Sequence, residues 1–338
     1  MKQKILVTGG AGYIGSHTIL ELLGAGQEVM AVDNLANSHR EAINRVSKLS
    51  NSPLKFTVGD IRNTQFLDDV FSQFAPDVVI HFAGRKSVKE SFEKPLEYYD
   101  SNVSGSRSLL QAMSSANCHK IIFSSSAAVY GAPVYLPLDE SHPTNPLNPY
   151  GRTKLMVEQI ITDWCASDSD RSAISLRYFN PIGAHTSGLI GEAPNGKPNN
   201  LMPHIAQVAI GMAPFLRVFG DDHDTRDGTG ERDYIHVVDL ARAHALSLEH
   251  LASVIGHEII NAGTGTGVTV LELVSAFEHA SGKKIPKSIV DKRVGDTASS
   301  YADANRAREL LGWEPEFDLE AMCRDAWVWQ DGNKFGYG

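Results

Sequence analysis

Residues 4–15, Lys-Ile-Leu-Val-Thr-Gly-Gly-Ala-Gly-Tyr-Ile-Gly, carry a short apolar run straight into a cluster of glycines. Gly10, Gly12 and Gly15 fit the spacing G-x-G-x-x-G, which has physical meaning only between a strand and a helix. Ile5, Leu6 and Val7 supply the strand, and Ile14, Ile19, Leu22 and Leu23 recur at helical spacing after it. One glycine lets the chain turn sharply, a second lets backbone approach a ligand with no Cβ in the way, and a third lets helix and strand pack closely. A βα unit built this way starts a parallel sheet.

The rest of the first half repeats that rhythm. Apolar runs of strand length stand at 5–7, 29–32, 54–58, 78–82, 121–124 and 174–177, with helical patterns between them. Such alternation predicts an α/β fold, a doubly wound parallel sheet covered on both faces. Ligands in these sheets sit beyond the carboxyl ends of the strands, which singles out 9–15, Asp33-Asn34, Asp60-Ile61, Phe82-Ala83-Gly84, 124–126 and 178–180. After about residue 180 glycine and proline become frequent and the rhythm is lost. We expect one domain over 1–180 and a smaller mixed α/β domain over 181–338, with parts of 232–262 returning to the first. Helices are expected at 200–211, 237–251, 268–281 and 319–331. The chain shows no internal repeat.

The glycine turn leaves free N–H groups of a helix N-terminus for phosphates, and Asp33 follows at about the 20-residue spacing of an acid that binds a ribose. Its charge would repel a 2′-phosphate, so the motif favours NAD over NADP. Tyr150 and Lys154 lie four apart and share a helix face, with Asn148-Pro149 as a helix start. A phenol with a pKa near 10 is a poor base at neutral pH, but an adjacent ammonium and a positive nicotinamide ring both favour phenolate. Tyr150 could then take and return a proton, Lys154 could also hold the nicotinamide ribose, and Ser126 could orient the same substrate hydroxyl.

Composition excludes several classes. Apolar residues make up 42% and charged residues 21%, ordinary for a globular protein. The formal charge of −9 argues against a nucleic-acid surface, and no apolar run approaches a membrane span. Only 5–7 precede Thr8, far short of a signal-peptide core, so a cytoplasmic protein is expected. Cys118, Cys165 and Cys323 show no spacing of a metal site or disulfide framework, and no metal is expected.

These motifs, together with 81–84, 94–99, 177–181, 199–203, 228–236 and 293–296, resemble the extended branch of the short-chain dehydrogenase/reductase family, and within it the nucleotide-sugar 4-epimerases. The resemblance spans nearly the whole chain. It implies a Rossmann-type fold, bound NAD, a homodimer formed through 95–117 and 149–167, and reversible inversion at C4 of UDP-glucose and UDP-galactose through a 4-keto sugar. Gly9, Gly12, Tyr13, Ile14, Gly15, Asp33, Asn34, Asp60, Ile61, Phe82, Ala83, Gly84, Lys86, Ser101, Ser124, Tyr150, Lys154 and Phe179 would contact NAD. Ser126, Tyr150, Asn180, Asn200, Leu201, Arg217, Phe219, Arg232, Arg293, Asp296 and Ser300 would meet the UDP-hexose. The arginines suit a diphosphate.

Two positions depart from the family pattern. Ser101-Asn102 replaces the usual two asparagines after Asp100, so one cofactor contact would pass to a hydroxyl. Ser300 stands where many bacterial members carry tyrosine beside the sugar's 2-position, which implies room for the N-acetyl group of UDP-N-acetylglucosamine or UDP-N-acetylgalactosamine. Related readings are a uronate epimerase, a decarboxylase or a 4,6-dehydratase. The last places Asp-Glu after the loop serine or threonine, where this chain has Ala127-Ala128. A regulator that binds NAD without turnover would have no use for Tyr150, Lys154 and Ser126 together.

Overall fold

The strands that read as apolar runs pair side by side in one parallel sheet. In this computed structural model, which describes residues 2–196, 198, 200–292 and 296–338, β1 is Lys4–Thr8, β2 Glu28–Asp33, β3 Lys55–Val58, β4 Val78–His81, β5 Lys120–Ser126 and β6 Ser172–Tyr178. Beyond them come β7 (Asn180–Ile182), β8 (Leu216–Phe219), β9 (Glu231–His236), β10 (Gly256–Ala262), β11 (Gly267–Thr269), β12 (Lys287–Val290) and β13 (Ser299–Ser300). The main sheet has the order β3-β2-β1-β4-β5-β6-β10. All its pairings are parallel. The order reverses direction at β1, which places a ligand crevice between the ends of β1 and β4.

Successive residues along each central strand enter opposite cores, as a pleat requires. Ile5, Val7, Val29, Ala31, Val78, Ile80 and Ile122 pack on one face with Ile19 and Leu22 of helix Tyr13–Gly24 and Leu240 of helix Val237–His250. Leu6, Met30, Val32, Val79, Ile121 and Phe123 pack on the other with Leu67 and Phe71 of helix Thr64–Phe74, Leu109 of Gly105–Ser115, and Val157 of Pro149–Ala166. Each buried Leu, Ile, Val or Phe contributes about 1.5–3 kcal/mol.

A third core gathers Ile205, Val218, Leu273, Phe277 and Met322. Around it lie helices Leu201–Ala209, Val270–Ser281 and Leu319–Gly332. β9 pairs with β7, β11 and β13 in a small mixed sheet, and β12 pairs with β8. Segment 232–262 therefore divides: β9 stays with the small sheet, whereas helix Val237–His250 packs on the main one and β10 extends it beside β6. The helix expected from 268 starts at Val270, because Gly267–Thr269 is a strand and Thr269 forms a capping box with Glu272. Among the described residues no helix is long and apolar enough to cross a membrane.

Candidate active site

The glycine turn is shaped by what a Cβ would strike. Gly9 has φ +71, and a Cβ there would lie 2.6 Å from the backbone N of Ala83, so the turn after β1 lies flat against the segment after β4. A Cβ on Gly15 would press into the carbonyl of Gly9. Gly12 is the N-cap of helix Tyr13–Gly24 and gives it no side-chain cap, so the first-turn N–H groups stay available for an anion. Asp33 braces this turn: its Oδ2 accepts from Ala11 N at 3.0 Å, and its Oδ1 from Leu35 N at 2.9 Å and Ser38 Oγ at 2.7 Å. The bare helix end and the close-approaching backbone fit a dinucleotide.

Around the crevice, Asp60 accepts from Asn34 Nδ2 at 3.0 Å and from Arg62, whose guanidinium holds the Asp60 carboxyl well below the usual carboxylate range. Ile61 is buried. Phe82 packs on the His244 ring at 4.8 Å. Beyond Gly84, Arg85 N donates to Asn102 Oδ1 at 2.7 Å and Asn102 Nδ2 to Thr153 Oγ1 at 3.0 Å. Asn102, with Ser101, lies in a π-helical turn, Tyr99–Ser104. Asn102 thus ties the segment after β4 to the helix that carries Tyr150. Tyr13 donates to Gly183 O at 2.6 Å, and Ile14 is partly buried beside the core.

Asn148 starts helix Pro149–Ala166 by accepting from Gly151 N at 2.8 Å, with Pro149 in the first turn. Tyr150 and Lys154 then lie one turn apart. Lys154 is buried and donates to Ser124 O at 2.6 Å, with Nζ 4.8 Å from the Phe123 ring centre and 5.9 Å from that of Tyr150. Burial lowers its pKa to about 8, and Glu158 on the next turn opposes that shift. Ser126 ends β5. Its Oγ accepts from Ala128 N at 3.2 Å, and its hydroxyl lies near enough to the Tyr150 phenol to favour the phenolate. Burial raises the Tyr150 phenol above its ordinary value, and the Ser126 contact opposes the rise. Within the protein alone, burial therefore outweighs the Ser126 contact.

The opposite wall comes from the small sheet. Ser300 of β13 pairs in register with Arg232 of β9, and Arg232 Nη2 donates to Asp296 Oδ1 at 2.7 Å. Phe179 is buried and its N donates to Ala262 O at 3.2 Å, while Asn180 opens β7 exposed. Asn200 precedes helix Leu201–Ala209 and donates to Glu192 Oε1 at 2.9 Å. Arg217 is exposed on β8, and Phe219 closes that strand. Lys86 donates to the same Glu192 oxygen at 2.7 Å. Arg293 lies outside the described residues. Tyr150, Lys154, Ser124 and Ser126 are brought together, and so are Arg232, Asp296 and Ser300. Sequence reading missed Glu192 and Asn102; both act through tertiary contacts, with no local spacing to reveal them. Among the described residues no group of His, Cys, Asp and Glu is arranged to hold a metal ion.

The model of the NAD dependent epimerase/dehydratase family matches residues 5–263. The chain is 52% identical over 333 residues to the UDP-glucose 4-epimerase of Bacillus subtilis (strain 168), covering 98% of each. It is 51% identical over 345 residues to that of Homo sapiens, covering 100% of this chain and 99% of the relative. The crystal structure of UDP-glucose 4-epimerase from Bifidobacterium longum in complex with NAD+ and UDP matches with a TM-score of 0.96 at 48% identity, covering 98% of this chain and 99% of that one.

Proposed function

The chain belongs to the NAD dependent epimerase/dehydratase family, and from that premise we propose that its cleft reversibly inverts carbon 4 of UDP-glucose and UDP-galactose, a reaction of galactose metabolism. The observation that carries the reading is the Tyr150–Ser126 pair at the head of the helix bearing Lys154, a helix that Asn102 ties to the segment after β4 against which the glycine turn lies. NAD, when bound, would supply reversible hydride chemistry at C4, by way of a 4-keto sugar and with no net oxidation.

The first-turn amides after Gly12, with Tyr13 and Ile14, would hold the pyrophosphate, and Gly9 and Gly15 allow the tight turn that presents those amides. Asp33 and Asn34 would take the adenosine ribose, Asp60 and Ile61 the adenine. Phe82, Ala83, Gly84, Lys86, Ser101, Ser124, Lys154 and Phe179 would complete the cofactor wall. Tyr150 Oη takes the proton of the C4 hydroxyl and gives it back. Ser126 Oγ accepts from Ala128 N, so its own proton is free to orient the phenol and the substrate hydroxyl. Lys154 supplies the nearby positive charge. Arg232 exchanges its Asp296 partner for the diphosphate, together with Arg293, and Asp296 turns to the uridine ribose. Asn180, Asn200, Leu201, Arg217 and Phe219 frame the rest. A firm hold on UDP and a loose one on the hexose let the keto sugar present its other face.

The test is to incubate the protein with UDP-galactose and no added reductant. UDP-glucose should form without NADH accumulating; absence of conversion refutes the reading. Tyr150→Phe should keep UDP binding and lose about 10²–10⁴-fold in rate, and near-normal turnover would refute the base assignment. The small Ser300 side chain supports turnover of the N-acetylated UDP-sugars as well; steady-state assays that find none sink that part.

We divide the chain into an NAD unit, 1–180 with the helix and strand of 237–262, and a UDP-sugar unit. A homodimer is supported by exposed Phe92, Leu96 and Met156 on helices Val88–Glu93, Pro95–Tyr98 and Pro149–Ala166. Three buried, unpaired cysteines support a reducing compartment, the cytoplasm.

A further inference from the structure

One carboxylate joins the two walls of the cleft. Oε1 of Glu192 accepts from Lys86 Nζ at 2.7 Å and from Asn200 Nδ2 at 2.9 Å. Lys86 belongs to the cofactor wall after β4, and Asn200 leads the helix of the substrate wall. The Glu192 side chain is 10% exposed, so it has little freedom to turn to other partners. Its backbone is fixed from behind: Trp329 Nε1 donates to Glu192 O at 3.2 Å, and a Cβ on the preceding Gly191 would run into the Trp329 ring. Tyr337 Oη lies 3.2 Å from both the N and the O of Gly191. Three residues beyond Glu192, Asn195 N donates to Asn37 Oδ1 at 3.1 Å and Asn195 Nδ2 to Ala36 O at 3.3 Å. The segment is therefore anchored on the C-terminal helix at one end and on the loop after β2 at the other.

Resting on the function proposed above, we infer that Glu192 is a positioning residue that sets Lys86 and Asn200 together, so that filling the UDP site tightens the hold on the dinucleotide. Both donors share one oxygen, so a shift of either changes the bond to the other. An anion drawn to Lys86 leaves Glu192 leaning more on Asn200, which fixes the start of helix Leu201–Ala209. A merely structural ion pair would couple nothing.

The test reads retention of the cofactor, not turnover. Holoenzyme carrying its NAD is diluted with or without saturating UDP, and NAD in the filtrate is followed over time. In the unmodified protein UDP should slow release by at least about fivefold, the lower end of typical site-to-site couplings. In E192A release should be faster and the same with and without UDP, and E192Q, which keeps an acceptor but no charge, should fall between. The inference is overturned if UDP has no effect on release from the unmodified protein. It is equally overturned by a UDP effect of unchanged size in E192A, or in E192Q should E192A not fold. A protein that ignores UDP in a direct binding assay, or leaves UDP-galactose unconverted with NAD supplied, refutes the proposed function itself.

Discussion

Removing the carboxylate of Glu158 tests how the catalytic side chains are held in place. Glu158 and Arg177 form an ion pair whose side chains are 3% and 4% exposed. Arg177 Nε donates to Oε1 at 2.9 Å and Nη2 to Oε2 at 2.7 Å, and Ser125 Oγ donates to the same carboxylate. The guanidinium also lies 4.7 Å from the Tyr130 ring centre. Ser125 sits between Ser124, which receives Lys154, and Ser126, which meets Tyr150; Arg177 is its register partner on β6. Helix, β5 and β6 are thus joined directly beneath the chemistry. E158A would leave a buried guanidinium without its partner, a loss of about 3–5 kcal/mol. An unfolding entropy of about 2.1 cal/mol/K per residue makes about 0.7 kcal/mol/K for this chain, so the thermal midpoint should fall by about 4–7 °C. E158M/R177M, which removes both charges, should recover most of that stability. Its turnover should stay depressed, because Ser125 has lost its acceptor and the strand can shift against the helix. Glu158 also counters the effect of burial on Lys154. The alkaline limb set by Lys154, at about pH 8 in the unmodified protein, should therefore move to lower pH in E158A. Calorimetry of the three proteins and their pH–rate profiles decide the matter. A double variant as unstable as E158A, or an E158A loss below about 1 kcal/mol, would refute the reasoning.

Gly15→Ala puts a Cβ into the backbone carbonyl of Gly9, a neighbour with no rotamer to yield; a loss of about 1–3 kcal/mol and poor recovery of NAD are expected, read by absorbance of the purified protein and by urea unfolding. Burial lowers His17 and His81 to about 3 and His244 and His257 to about 4. Between about pH 6.5 and 4 the unfolded chain binds protons that the native state refuses, so stability is complete above about pH 6.5 and falls as pH drops, by up to about 1.4 kcal/mol per pH unit for each group. Urea midpoints should follow this slope, and His244→Gln should remove one group's share. Leu96, 81% exposed, should be covered in the proposed homodimer; Leu96→Glu should convert it to monomer in sedimentation velocity, and a monomeric unmodified protein would refute the interface.

β1, β2, β4, β5 and β6 were legible because a parallel sheet buried on both faces writes itself as apolar runs, whereas the run at β3, a half-exposed edge strand, shows only Leu54, Phe56 and Val58. β10 was not legible, since Gly-His-Glu-Ile-Ile-Asn-Ala is fully buried only in its last three residues, and it surfaced only as an expected return of 232–262. The short strands of the small sheet leave too few residues for a period to show. Capping chemistry could have moved the helix start from 268 to 270, for Thr269 and Glu272 stand at capping-box spacing.

At the site, legibility followed the range of the interaction. Gly9–Gly15 and Tyr150–Lys154 work through neighbours within a turn, so their spacing is in the sequence. Glu192 holds residues that stand 106 and 8 positions away in the chain, and no local pattern distinguishes it from a solvated acid. Glu158 lies between these cases. It falls four residues after Lys154, on the stripe where Val157 and Ile161 are buried, so the helix places a carboxylate where its period calls for an apolar side chain. An unpaired charge there would cost several kcal/mol, and that cost implies a buried cation on a facing element before any coordinates are seen. Arg177, in a run that otherwise reads as core strand, was the one residue of β6 able to meet it. A charge out of phase with the apolar stripe of a helix that also carries catalytic groups is thus a readable sign of a positioning residue, and the two offending charges name each other.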